Sequence, residues 1–247
     1  MSPELILCLL TGAAAGGFIN GLAGFGTALL ALGIWLQVMP PWQAVAIIAA
    51  MSVASGLQCL WLIRRDLSHG VHHLPRFLIP ALIGLPLGTA LLSYISASSL
   101  KLLVAAFMLL YGAFFAFRRS LPRLNRSLPL GNVIVGFTAG VLGGAASLSG
   151  VLPTMWCAML PWSKNETSAV LRSFNVVILT IAVALFAARG YYTRETLILA
   201  ACALPVTLIF SQIGIAVFQR LDNSQFRRLL IWLLFACGAV LMARELL

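Results

Sequence analysis

"GFINGLAGFGTALLAL", residues 17 to 32, decides how this chain must fold. Gly17, Gly21, Gly24 and Gly26 fall within ten residues, yet the stretch lies inside 59 residues, Leu5 to Ile63, without one Asp, Glu, Lys or Arg. Glycine clusters mark turns, and backbone freed from a helix is tolerated at membrane depth only where it is buried in protein or lines a cavity. The apolar block that holds the cluster, Leu5 to Met39, has 35 residues. As an unbroken helix it would reach about 52 Å at 1.5 Å per residue, against a hydrocarbon layer of roughly 30 Å. It must break, tilt steeply, or fold back as a hairpin of half-helices, and the glycines sit in its middle.

The whole chain has the same character. Of its 247 residues 61% are hydrophobic and 9% charged, with mean hydropathy +1.02; a soluble domain runs at about 45 to 50% apolar and about 25% charged. The apolar blocks are far longer than barrel strands of about 10 residues, so the class is an all-α polytopic membrane protein. The net charge of +10 reads as topogenic charge in cytoplasmic loops rather than a nucleic-acid footprint, because no soluble domain carries it. "MSPELILCLL" lacks a basic region ahead of its apolar run and reads as the start of a retained membrane segment. Cys8, Cys59, Cys157, Cys202 and Cys237 are scattered without a C-x-x-C pair and read as small core residues.

Charges and turn residues divide the chain into eight membrane segments, at about 5–39, 42–63, 74–95, 99–117, 130–160, 166–188, 196–219 and 226–243. No linker separates soluble domains, so residues 1–247 form one transmembrane unit. Its halves, about 5–118 and 130–245, resemble each other. "GFINGLAGF" aligns with "GFTAGVLGG", setting Gly17, Gly21 and Gly24 against Gly136, Gly140 and Gly143 at an offset of 119. Pro41 meets Pro161 at 120, and Gly88 meets Gly214 at 126. Such duplication is a hallmark of secondary transporters. If all eight segments cross, the basic residues split 10 to 6 between the two sides; if segments 1 and 5 return to their side of entry, they split 12 to 4 and the halves become inverted repeats. The positive-inside rule prefers the second arrangement.

Residues able to do chemistry gather at the duplicated breaks. The second-half stretch "GFTAGVLGGAASLSGVLPTMW" carries Gly143, Gly144, Ser147 and Ser149 where the first half carries Gly24, Phe25, Gly26 and Thr27. Helix packing accounts for Gly17, Gly21, Gly136 and Gly140 as small-xxx-small faces. It accounts less well for the remaining small and hydroxyl residues, which lie at almost every helical angle. Half-helix N-termini at such breaks can hold an anion. In "NETSAVLRSFNVVILT", with Asn165 read as a helix cap, Ser168, Arg172 and Asn175 share a face about two turns in. A charge at that depth should face a bundle interior or a water-filled cavity; the alternative is an arginine reaching back to the interface. At an offset of 120 the first half places Ser52 and Ser55 at the points of Arg172 and Asn175, with Gln58 one turn on.

Other chemistries are disfavoured. No Asp or Glu sits deep in a segment, which argues against a cation carrier with a carboxylate relay. His69, His72 and His73 share one basic loop, so an intramembrane serine protease lacks its histidine, and a metal site there lacks supporting ligands. No ring of like charges suggests a channel. A non-transporting scaffold whose glycines only pack helices is the alternative from a different class, and a carrier for a non-sulfur anion is another.

The paired glycine-rich segments, "GLAGFGTALLAL" and "GVLGGAASLSGVLP", each followed by a short turn ("MPPWQA", "LPWSKNETSAVLRS") and a helix with a small or polar face, resemble the sulfite exporter TauE/SafE family, also called the 4-toluene sulfonate uptake permease family. The resemblance spans the whole chain. The first half departs from the family's habit of three glycines followed by proline, having Phe25 among its glycines, while Pro153 lies nearer the pattern. The resemblance implies secondary transport of small sulfur-containing anions such as sulfite or organosulfonates, often as efflux, across the bacterial cytoplasmic (inner) membrane. The expected partners are the anionic substrate, the lipid bilayer, a coupling proton or sodium ion and a homo-oligomeric copy. No cofactor, metal or catalytic residue is expected. The candidate binding residues are Gly24, Phe25, Gly26, Thr27, Ser52, Ser55, Gly143, Gly144, Ser147, Ser149, Arg172 and Asn175.

Overall fold

The computed structural model describes residues 3–62, 73–117, 128–160, 162 and 164–221. Among these every regular element is a helix: α1 (Pro3–Ala23), α2 (Thr27–Trp35), α3 (Pro41–Leu62), α4 (Pro75–Leu91), α5 (Ala97–Phe117), α6 (Pro129–Ala146), α7 (Val151–Cys157), α8 (Lys164–Ala188) and α9 (Arg194–Arg220). α1, α3, α5, α6, α8 and α9 are each long and apolar enough to cross a membrane, and α4 is a shorter apolar helix. The predicted segment at 226–243 lies outside the described residues.

Helix starts and stops follow local chemistry. Proline opens α1, α3, α4 and α6, where its missing N–H costs nothing. The Thr193 hydroxyl caps α9 by accepting from the Thr196 amide at 3.3 Å. α8 begins at Lys164, so Asn165 falls inside the first turn rather than at the cap read from sequence.

Both long segments break. Between α1 and α2, Gly24 and Gly26 adopt φ of 80° and 97°, a region where a side chain is strained. Between α6 and α7 the same job falls to Ser147, at φ 55°, with the Leu148 amide reaching back to Leu142 O at 3.1 Å to close the helix end.

Each break turns its chain back on itself. Trp35, at the end of α2, donates from Nε1 to Cys8 O at 3.1 Å and Leu9 O at 3.3 Å, and its indole fills the space a side chain at Gly12 would need. Trp156, at the end of α7, donates to Asn132 Oδ1 at 2.8 Å and lies over Gly131. The segments 5–39 and 130–160 are therefore hairpins of one long and one short helix. Of the three choices the length of Leu5–Met39 left open, the chain takes the fold-back.

The hairpins are held by close helix pairs. Gly17 and Gly21 of α1 abut the backbone of Thr207 and Ser211 in α9, and Gly140 and Gly144 of α6 abut Ala81 and Leu85 in α4. Reciprocally, Gly214 abuts Phe18 and Leu22, and Gly88 abuts Val141. In each pair the residue numbers rise together, so the two helices run parallel. These contacts equate Gly17 with Gly140 and Gly21 with Gly144, an offset of 123 that also equates Gly24 with Ser147, the left-handed residues. The alignment at 119 was thus one helical turn out of register. Glycines spaced by four at 136, 140 and 144 allow that slip.

α1, α3, α5 and α9 begin at one end of the molecule, here end A, and α4, α6 and α8 begin at the opposite end B. At end A the α8–α9 turn packs on the first half: Tyr192 donates to Ala46 O at 2.9 Å, Ser93 and Tyr191 share a hydrogen bond of 3.0 Å, and Arg189 donates to Thr89 O. Burial pushes the Tyr192 phenol above its ordinary pKa. Trp42 and Tyr191 line a cavity of about 430 Å³ there, with Leu92, Ile95 and Gly190. Outward faces carry large apolar side chains such as Leu7, Trp61, Ile79 and Ile83. Cys202 is also exposed, correcting its reading as a core residue, while Cys59 and Cys157 are buried.

Candidate functional site

The tips of the two hairpins meet inside the bundle. Phe25, in the first break, is 2% exposed and sits where a side chain at Gly150 would have to go, in the second break. Its ring lies 5.9 Å from that of Tyr111 in α5. The first turns of α2 and α7 thus start close together, each after a break in its helix.

Two helices bridge both tips. In α8, Arg172 is 3% exposed and reaches the first tip: Nε donates to Ser168 Oγ at 2.9 Å, one guanidinium nitrogen to Cys59 Sγ, and the other to Gly21 O at 3.5 Å. A Cβ on Gly24 would lie 2.7 Å from Arg172 Cγ, so this glycine is required both by its φ and by the arginine stem. The guanidinium also lies 5.6 Å from the Phe218 ring centroid. One turn on, Asn175 reaches the second tip, its Oδ1 accepting from Ser149 Oγ at 2.6 Å. In α3, Ser55 accepts from Asn20 Nδ2 at 2.5 Å and itself donates to Met51 O, while Val45 O accepts from Ser147 Oγ at 3.1 Å.

Most of the residues expected from sequence gather here, with different neighbours. Gly24, Phe25, Ser149, Arg172 and Asn175 line the meeting of the tips, with Ser52 and Ser55 buried in α3 behind the first. Gly26 faces Ile19, and Thr27 packs its methyl on Gly16. Ser147 is committed to the Val45 carbonyl. Gly143 packs beside Ser149 and Ile178, whereas Gly144 is in backbone contact with α4 and serves packing. Arg172 does not reach back to an interface; it turns inward.

Sequence reasoning missed Asn20 and Cys59. Asn20 is 2% exposed, and among the described residues its Oδ1 has no hydrogen-bond partner, as is also true of Thr27 Oγ1. The sequence offers one signal, an amide within the uncharged run, but one turn past Gly16 and among packing glycines it reads as part of the packing. Cys59, one turn past Ser55, supplies a sulfur to the guanidinium. Among the described residues no three His, Cys, Asp or Glu side chains cluster as metal ligands, and His73 stacks on Trp162 at 4.4 Å; His69 and His72 lie outside them.

The electrostatics follow from one charge. Arg172 carries five N–H donors and no acceptor. Among the described residues it meets a hydroxyl, a sulfur and a carbonyl but no carboxylate. An uncompensated charge inside a bundle is costly, and such residues mark ion or substrate pathways.

Comparison with known proteins agrees in kind. The chain is 27% identical over 254 residues to the probable sulfite/organosulfonate exporter TauE of Cupriavidus necator, covering 98% of this chain and 96% of that protein. No solved structure matches it. The family model for the sulfite exporter TauE/SafE matches residues 8–241. This multi-pass helical membrane protein therefore belongs to the sulfite exporter TauE/SafE family.

Proposed function

We propose that the protein is a secondary transporter that exports a small sulfur-containing anion, sulfite or an organosulfonate, across the bacterial inner membrane by alternating access. The observation that carries this reading is Arg172: a buried cation without a described carboxylate partner, set against the breaks of two hairpins. A small anion between the tips would receive the spare guanidinium N–H groups and the first amides of α2, the arrangement by which broken helices bind anionic groups in transporters. The named function of the Cupriavidus relative supports the substrate class.

The two halves then act as inverted repeats within one eight-segment unit. Each half contributes a hairpin that returns to its side of entry, followed by helices that cross, α3, α4 and α5 in the first half and α8 and α9 in the second. The parallel pairs α1 with α9 and α4 with α6, each joining a hairpin of one half to a helix of the other, support this, as does the division of basic residues, 11 to 4 once the buried Arg172 is removed from the 12. On this division end B is the cytoplasmic side. Export would proceed by one hairpin pair moving against the other about the Phe25–Gly150 contact, driven by a proton or sodium gradient.

The test is flux. Wild-type protein in proteoliposomes is expected to move sulfite or methanesulfonate, and Arg172→Ala to lose at least about tenfold of that rate, the equivalent of roughly 1.4 kcal/mol, while retaining a cooperative melting transition. Unchanged flux in a folded Arg172→Ala protein removes Arg172 from the mechanism.

A further inference from the structure

Among the buried polar and charged side chains described, Asn20, Thr27, Gln43, Ser52, Ser55, Thr89, Asn132, Ser147, Ser149, Asn175, Thr196, Thr207 and Ser211 are neutral, and Arg172 alone carries a formal charge. A singly charged anion beside it leaves the buried site neutral. A dianion leaves one negative charge without a counter-charge in a medium of low effective dielectric, where an unpaired ion is strongly penalised.

The second observation is of opposite polarity. Asn20 gives its Nδ2 to Ser55 at 2.5 Å, and Ser55 is fixed as acceptor there because it donates to Met51 O. That orientation leaves Asn20 Oδ1 buried and, among the described residues, without a hydrogen-bond partner; Asn20 adjoins Gly21, whose carbonyl accepts from Arg172, and its partner Ser55 lies one turn before Cys59, which also meets Arg172. A carboxamide oxygen repels the bare oxygens of an anion and accepts from an O–H. Thr27, which packs on Gly16 one turn before Asn20, has a buried hydroxyl that is likewise without a partner and can donate.

We propose that the site selects a monoanion and reads its proton through Asn20, so that sulfite is bound as hydrogen sulfite, sulfonates are bound as R–SO₃⁻, and dianions are rejected. This rests on the transport reading above and specifies the charge state of its substrate. Among the described residues the titratable groups facing the site are Arg172 of α8, Cys59 of α3 and Tyr111 of α5. Glu166 lies six residues before Arg172 in the first turn of α8, and Arg220 of α9 is exposed. A permanently monoanionic sulfonate reports any titration of these groups and serves as the internal control.

The experiment compares sulfite, methanesulfonate and sulfate flux in proteoliposomes at equal total concentration while pH is raised through the second ionisation of sulfurous acid. Sulfite flux should fall by about tenfold per pH unit once the monoanion is the minor form, methanesulfonate flux should stay flat, and sulfate should match protein-free vesicles. Asn20→Ala should lose roughly tenfold of sulfite flux and under about twofold of methanesulfonate flux. Sulfite flux that holds or rises with pH, or sulfate carried at a comparable rate, overturns the inference; equal losses of both substrates in a folded Asn20→Ala protein overturn the role of Asn20. If no anion moves, the transport reading fails, and charge selection is read from the melting temperature of the purified protein: methanesulfonate must raise it and sulfate at matched ionic strength must not. A rise with both, or with neither, overturns the inference.

Discussion

Gly24 shows how one residue can serve fold and site together. Its φ of 80° ends α1, and its missing Cβ leaves room for the Arg172 stem. Gly24→Ala should therefore cost about 1 to 2 kcal/mol from the left-handed backbone alone, seen as a lower melting temperature, and should reduce flux further by displacing the guanidinium. Gly26→Ala carries the same backbone penalty but meets only ordinary contacts with Ile19, about 3.5 Å away, so its flux should fall less than that of Gly24→Ala at equal loss of stability. Equal flux losses would separate Gly24 from Arg172. The sequence made Arg172 legible because a charge within an apolar segment is conspicuous. It hid Asn20, because an amide among packing glycines looks like part of the packing, and only the partnerless Oδ1 distinguishes it.

At the scale of elements the breaks were readable and their register was not. Length required Leu5–Met39 to break, tilt steeply or fold back, and the glycines marked where its helix ends. The second break needed no glycine at its left-handed position, where Ser147 stands, so matching glycine to glycine slid the halves by one turn. What the two hairpins share is their closure, Trp35 over Gly12 in one and Trp156 over Gly131 in the other. Each tryptophan pins a short helix to the start of its long one. Trp35→Phe keeps the ring and loses the bonds to Cys8 and Leu9, so it should destabilise by about 1 kcal/mol; Trp156→Phe should cost a similar amount through Asn132. Thermal melting measures both. Gly144→Leu, which drives a side chain into the α4 backbone, should be far more disruptive, at about 3 kcal/mol or more.

For the whole molecule, the hydropathy of the sequence established a helical membrane protein, while the way the halves engage was beyond it. Parallel pairing of α1 with α9 and α4 with α6 joins residues nearly 200 positions apart or in opposite halves, and local periodicity carries no such information. The inverted arrangement makes a topological prediction. In a cysteine-free background, single cysteines at Lys101 and Arg194, near end A, should react with a membrane-impermeant maleimide applied to intact cells, and one at Arg76, near end B, should react only after the membrane is opened. Labelling of the Arg194 position on the same side as the Arg76 position and opposite to Lys101, as eight full crossings require, would contradict the inversion.

Transport by this mechanism requires a small anion held by Arg172 between the hairpin tips. The measurement is the melting temperature of detergent-purified protein titrated with methanesulfonate, since ligand binding to the folded state stabilises it with the logarithm of concentration above the dissociation constant. The predicted result is a progressive rise for the wild type and a flat line for a folded Arg172→Ala protein. Equal rises in both, or none in the wild type, would contradict it.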